Sequence, residues 1–250
     1  MSDAAVPAPQ AASPPVRWGR LRRAPGSYRW VYLWHLPIRI SHWVAAGSIV
    51  ILAITGYYIG RPFAATGGEA SAHFMMGWIR FFHFTAAGLL VAVGVLRVYG
   101  LLMGNRYERW MALFPVKASD WKNTWKMACA YLTARPECAP HYLGHNPLQQ
   151  ISYTAVYAVG LLEVATGFAL YGLSNPSGFI HHATGWMGPA FGGWQMVRLV
   201  HHAVLWIFAS FVPLHVYLVL RSDVGDREGT LSSIFSGGRF VRDDVSYEDE

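Results

Sequence analysis

Four apolar runs, each of bilayer-crossing length, punctuate the chain, and the polar residues inside them fall at a few depths. The runs cover roughly residues 38–59, 77–102, 151–173 and 197–221. A hydrocarbon core about 30 Å thick needs about 20 helical residues to cross it. Lipid offers no partner to backbone N–H and C=O groups, so each run is expected to be a helix. The fourth run, VRLVHHAVLWIFASFVPLHVYLVLR, holds His201 and His215. Fourteen residues at about 100° each stop about 40° short of four turns, so the two imidazoles share a face about 21 Å apart along the axis. Ionisable residues within a span are rare and usually face the protein interior, where they mark a site. This helix is expected to form the back wall of two stacked sites.

The polar stretches between the runs differ in kind. Residues 1–29, rich in Ala, Pro and Arg, cannot bury a core and are read as a disordered tail. No apolar segment follows the early arginines until the first run, which argues against a secretory signal. Residues 30–222 form the four-helix domain, and 223–250 a polar tail that ends acidic. Within the long connection 104–150, SDWKNTWKMACAYL puts Trp121, Trp125, Ala128 and Leu132 on one helical face. That pattern fits a helix lying in the membrane surface or a segment packed on other protein. The connection 174–196 is rich in Gly, Pro and aromatics and carries His181 and His182, while His73 lies in the first short loop; all three are read as surface or partner contacts. No internal repeat is evident, against an inverted-repeat transporter.

Composition agrees. The chain is 53% hydrophobic and 14% charged, against about 25% charged in a soluble domain. The net charge of +6 does not imply nucleic acid, because the basic residues flank the apolar runs instead of forming a stripe. Seventeen Lys and Arg fall in the two tails and the long connection, and three (Arg61, Arg80, Arg198) on the other side. The positive-inside rule then puts both termini in the cytoplasm. Cys129 and Cys138 form no CxxC or CxxCH motif, which leaves two free thiols and no covalent haem attachment of that kind.

With this topology four histidines sort by depth into two pairs: His83 with His201 at the outer level, His42 with His215 at the inner level. Two imidazoles facing each other across a bundle interior suit a six-coordinate haem iron. Arg39, Arg80 and Arg198 each precede a histidine of this set by three residues, which places a cation on the same face for a haem propionate. A bare zinc site is disfavoured, since two ligands per level fall short of three or four. His202, beside His201 but turned by about 100°, competes for the outer ligand role. Glu163, a carboxylate within the third run, has two readings, a proton path or a neutral hydrogen-bonding group.

The stretches RISHW (39–43), TGYYIGRPF (55–63), GEA (68–70), RFFHF (80–84), GNRY (104–107), GHNPL (144–148), TGFALY (166–171) and HVYLVLRSD (215–223) resemble, in order, the b-type cytochrome subunits of membrane-bound nickel–iron uptake hydrogenases. They are also related to the cytochrome b subunits of formate dehydrogenases. The resemblance implies an all-α integral membrane fold, a four-helix bundle enclosing two stacked haems, in a bacterial cytoplasmic (inner) membrane. It implies two b haems ligated by His42, His83, His201 and His215, and as partner a hydrogenase small iron–sulfur subunit with the large nickel–iron subunit behind it. Electrons would pass from that subunit through the outer and inner haems to a quinone. Candidates for the quinone vicinity are His35, Asn105, Arg106, His145 and Asn146. Three rivals stay open: a haem-free anchor, a cytochrome b of another dehydrogenase, and a transporter.

Overall fold

The computed structural model of the chain describes residues 27–64, 69, 71, 73–133 and 139–250. The tail before residue 27, most of GGEA, Arg135 and Cys138 lie outside them. Four long helices occupy the four apolar runs: α1 (Leu36–Gly60), α2 (Met75–Met103), α5 (Pro147–Gly172) and α8 (Trp194–Asp226). All four are long and apolar enough to cross a membrane. Their outer faces carry large apolar side chains such as Ile54, Val95, Leu161 and Trp206, all exposed. Patches of that extent are unfavourable in water, and lipid supplies the apolar surroundings they need.

Local chemistry sets the helix ends. Pro37 stands in the first turn of α1, where its missing N–H costs nothing. At α5, Asn146 accepts from the Gln149 N–H at 2.9 Å and Gln149 Oε1 accepts from the Asn146 N–H at 3.0 Å, a capping box followed by Pro147. Helix α8 has 33 residues, about 50 Å at 1.5 Å per residue, and so outruns an apolar layer. It runs on past residue 221 to Asp226 and ends at Arg227, which adopts φ 57°.

Short elements fill the connections: α3 (Trp110–Leu113) and α4 (Ala118–Leu132) between α2 and α5, then α6 (Phe179–Thr184) and α7 (Met187–Ala190) between α5 and α8. After α8 come α9 (Thr230–Ser236) and strand β2 (Gly238–Arg242), which pairs antiparallel with β1 (Tyr28–Tyr32). The all-α expectation is therefore corrected: the bundle carries a two-stranded sheet, with Tyr28 opposite Arg242 and Tyr32 opposite Gly238. The sheet also draws Tyr28 and Arg29 out of the N-terminal tail and folds part of the C-terminal one. A five-residue strand has no stability by itself, and its partner here lies about two hundred residues away.

Helix α1 packs along α2, and α8 against both α5 and α1. Two small apolar cores close the ends. One gathers Leu33, Tyr107, Leu143, Val241 and Tyr247 beside the sheet; the other gathers Ala169, Met187 and Val197 under Phe191 and Trp194. Between them the buried positions of α1, α2 and α5 are mostly small: Ser48, Thr55, Ala86 and Thr166.

Candidate functional site

The four in-span histidines stand in two facing pairs. His83 of α2 meets His201 of α8 with ring centroids 6.5 Å apart, and His42 of α1 meets His215 of α8 at 6.3 Å. A metal held by two imidazoles at about 2.0–2.1 Å per bond sets the ligating nitrogens about 4 Å apart and the ring centres about 6 Å apart. Both pairs therefore have the separation that a bis-imidazole iron requires, and small residues (Thr55, Gly56, Thr166 and Gly167) lie against the His83 and His201 rings. The donor set and spacing fit a haem at each level.

The rings are held differently at the two levels. Thr55 Oγ1 of α1 lies 2.9 Å from His83 Nδ1, and Thr166 Oγ1 of α5 lies 3.0 Å from His201 Nδ1. Glu163 Oε2 comes within 3.3 Å of His201 Nδ1 and has no hydrogen-bond partner among the described residues. At the other level, His215 stacks on Phe211 at 5.5 Å and meets the edge of Tyr153 at 6.4 Å. His42 Nδ1 is buried without a partner among the described residues. His202 turns away from both pairs: its Nδ1 donates to the Arg198 carbonyl at 3.0 Å, and its ring lies where a Cβ on Gly60 would be.

Of the three arginines set one turn from a histidine, Arg80 and Arg198 are exposed. Arg198 donates to Gln195 Oε1 at 3.2 Å. Arg39 is half-buried and donates to the Phe235 carbonyl of α9, with its Nε sealed and unpartnered among the described residues. His181 packs on Trp194 at 6.1 Å, whereas His73 and His182 are exposed.

The five residues expected near a quinone divide. Three are engaged in holding the fold. His35 donates its backbone N–H to Glu108 Oε1 at 2.6 Å and sets its Nδ1 2.7 Å from Oε2 of that fully buried carboxylate. Asn105 donates to the Leu33 carbonyl at 2.8 Å and accepts from the Tyr107 N–H at 2.8 Å. Asn146 is the α5 cap. The other two, Arg106 and His145, line one cavity of about 240 Å³ together with Tyr142 and Gln150. Gln150 Oε1 and His145 Nδ1 are buried there without a partner among the described residues. Burial, and then the Arg97 charge, lower the His145 pKa to about 3, so its imidazole is neutral at pH 7. Its ring sits 4.9 Å from Trp34 and 5.0 Å from Tyr153, which in turn meets His215.

Sequence reasoning did not single out Thr55, Thr166, Tyr153, Phe211 or Gln150. The one signal available was the Thr-Gly pair that opens both TGYY and TGFALY.

Fold and histidine geometry define a helical membrane protein built around paired in-span imidazoles. The sequence profile of the prokaryotic cytochrome b561 family matches residues 33–237, and the chain belongs to that family. It is 41% identical over 219 residues to a probable Ni/Fe-hydrogenase B-type cytochrome subunit of Azotobacter vinelandii, covering 86% of this chain and 90% of the relative. The Rhizobium leguminosarum bv. viciae protein described in the same words is 38% identical over 216 residues, covering 85% and 90%. A probable Ni/Fe-hydrogenase 1 B-type cytochrome subunit of Escherichia coli (strain K12) is 32% identical over 217 residues, covering 83% and 90%.

Proposed function

We propose that this chain is the b-type cytochrome subunit of a nickel–iron hydrogenase, anchoring it to the bacterial inner membrane and passing its electrons to the quinone pool. The observation that carries the reading is the pair of imidazole couples, 6.5 and 6.3 Å across, on a chain of the cytochrome b561 family. His83 and His201 would hold one b haem, His42 and His215 the second. When bound, the two haems supply a one-electron relay across the membrane between the hydrogenase iron–sulfur subunit and a quinone.

The chain's own residues provide position and surroundings. Small side chains in mid-bundle leave the imidazoles in reach of one another, and the lipid-facing shell keeps water out. Arg39, Arg80 and Arg198 offer cations one turn closer to water than the histidines they precede. The charge asymmetry supports cytoplasmic termini, which makes the His42–His215 level the inner one. At that level the cavity beside His145 is the best supported quinone site, because Tyr153 and His145 bridge from His215 to it. A neutral imidazole and the Gln150 amide suit hydrogen bonding to quinone oxygens. The four-helix domain spans 30–222 in this reading, with the cytoplasmic connection 104–150 laying α4 in the membrane surface and residues 27–29 of the N-terminal tail joining the fold.

A reduced-minus-oxidised spectrum of membranes holding the complex, with hydrogen as the only reductant, tests the reading. A b-type signal at two haems per chain is expected. A signal that needs dithionite assigns the cytochrome to another dehydrogenase, and no haem signal reduces the chain to an anchor.

A further inference from the structure

The outer histidines are supported by the same two-residue device on two different helices. Thr55 of α1 lies against His83 of α2, and Thr166 of α5 lies against His201 of α8. Thr55 Oγ1 sits 2.6 Å from the Ile51 carbonyl, and Thr166 Oγ1 sits 2.8 Å from the Leu162 carbonyl. A hydroxyl has one proton, and a carbonyl only accepts, so each threonine gives its proton to its own helix. Toward the imidazole each oxygen is left to accept, and the Nδ1 of His83 and of His201 is therefore the protonated nitrogen. That tautomer leaves Nε2 bare, which is the nitrogen a metal needs.

The residue after each threonine is glycine, and it sets the distance. A Cβ added to Gly56 would stand 3.3 Å from His83 Cε1, and one added to Gly167 would stand 3.3 Å from His201 Cε1. Either is tighter than ordinary van der Waals contact, so any larger residue forces the ring to shift by a few tenths of an ångström. Hydrogen bond and clearance thus agree at both sites.

We propose that Thr55–Gly56 and Thr166–Gly167 are matched cradles that fix the tautomer, tilt and depth of the two outer imidazoles and set the potential of the iron they hold. The proposal rests on the ligand reading given above. An imidazole whose Nδ1–H is hydrogen-bonded is a stronger base at Nε2, and a stronger donor favours ferric iron. The cradles therefore lower the outer potential. The His42–His215 level is built on ring contacts and has no such pair among the described residues, so the two levels are tuned by different means.

The test is a redox titration of the full complex carrying Thr55→Val, Thr166→Val or both, with Thr→Ser at each position as the conservative control. Both haems are expected to stay bound in the single variants. One b wave moves to higher potential, further in the double variant, with a change in its low-spin electron paramagnetic resonance signal; the other wave stays in place. Serine returns the wild-type potential. An unmoved pair of waves in the double variant, or a serine variant that behaves like valine, overturns the proposal. Loss of the outer haem in valine variants with retention in serine variants supports it; loss in both overturns it. Nitrogen-15 spectra of histidine-labelled, haem-free protein read the tautomer without iron. Two Nδ1–H rings that change in the valine variants uphold the cradles even if the chain proves to bind no haem, and unchanged spectra refute them whatever the haem content.

Discussion

His201 and His202 are neighbours in sequence, yet the helix turns them about 100° apart, and only His201 faces His83. The His202 ring has its Nδ1 on the Arg198 carbonyl at 3.0 Å and packs where Gly60 leaves room. His202→Ala is therefore expected to retain both haems in a pyridine–haemochrome assay. His201→Ala loses the outer one and spares hydrogen oxidation with an artificial acceptor; full haem content in that variant sinks the pairing. His145 makes a different kind of test, through acid. Its pKa is lowered from 6.5 to about 3 by burial first and Arg97 second. The unfolded chain then binds the proton first as pH falls. The stability that neutral His145 contributes is complete above about 6.5 and is lost as pH falls toward 3. Thermal unfolding in detergent should show His145→Gln losing less stability than wild type between pH 6.5 and 4; parallel curves would remove the argument. The histidine pairs are legible from sequence because spacing along a helix converts directly into face and depth. The threonines behind them are not, because their role depends on which helix lies across from which, and no local spacing encodes that.

At the scale of elements, hydropathy places the four long helices well, since lipid imposes both their length and their internal hydrogen bonding. Functional assignments near their ends are harder to read, because capping and ligand binding select the same residue types. Asn146 shows this: a polar residue next to His145, it is buried as the cap of α5 and reciprocates with Gln149. Asn146→Ala is expected to cost about 1 kcal/mol, the usual worth of a lost N-cap, while Asn146→Ser costs less and both keep quinone reduction. Activity lost in the stable serine variant would return Asn146 to the quinone site. Helix α4 is amphipathic: Asn123, Met127 and Ala130 turn inward while Trp121, Trp125 and Leu132 are exposed. Nitroxide labels should therefore report apolar surroundings at 125, with oxygen contact exceeding that of a water-soluble nickel complex, and the reverse at 122. Equal accessibility at both would mean that α4 stands off the membrane.

The whole molecule adds something that neither residues nor single elements carry: the strand before α1 and the segment after α8 are tied together beside the His42–His215 level. Strand β2 pairs with β1 directly before α1, and buried Tyr247 donates to Glu228 Oε1 at 2.8 Å. Asp249 then accepts from the backbone N–H groups of Leu143, at 2.6 Å, and Gly144, at 2.8 Å. Those two residues lead straight into His145, so the penultimate residue but one of α8's trailing segment, Glu248, and Asp249 beside it border the cavity that His145 and Gln150 line. A short polar ending reads as a tail in sequence because the partners of its strand and of Asp249 lie about a hundred residues away or more. Hydrogen bonds to an ionised group contribute about 1.5–3 kcal/mol each, so Asp249→Ala removes enough to loosen the 143–145 loop without touching either histidine pair. Hydrogen-dependent reduction of both b signals is expected to persist in that variant, while electron delivery to quinone falls several-fold. Asp249→Asn, which keeps an acceptor oxygen, should lie between alanine and wild type. A quinone rate that survives Asp249→Ala intact would separate the C-terminal clamp from the site, and with it the placement of the quinone beside His145.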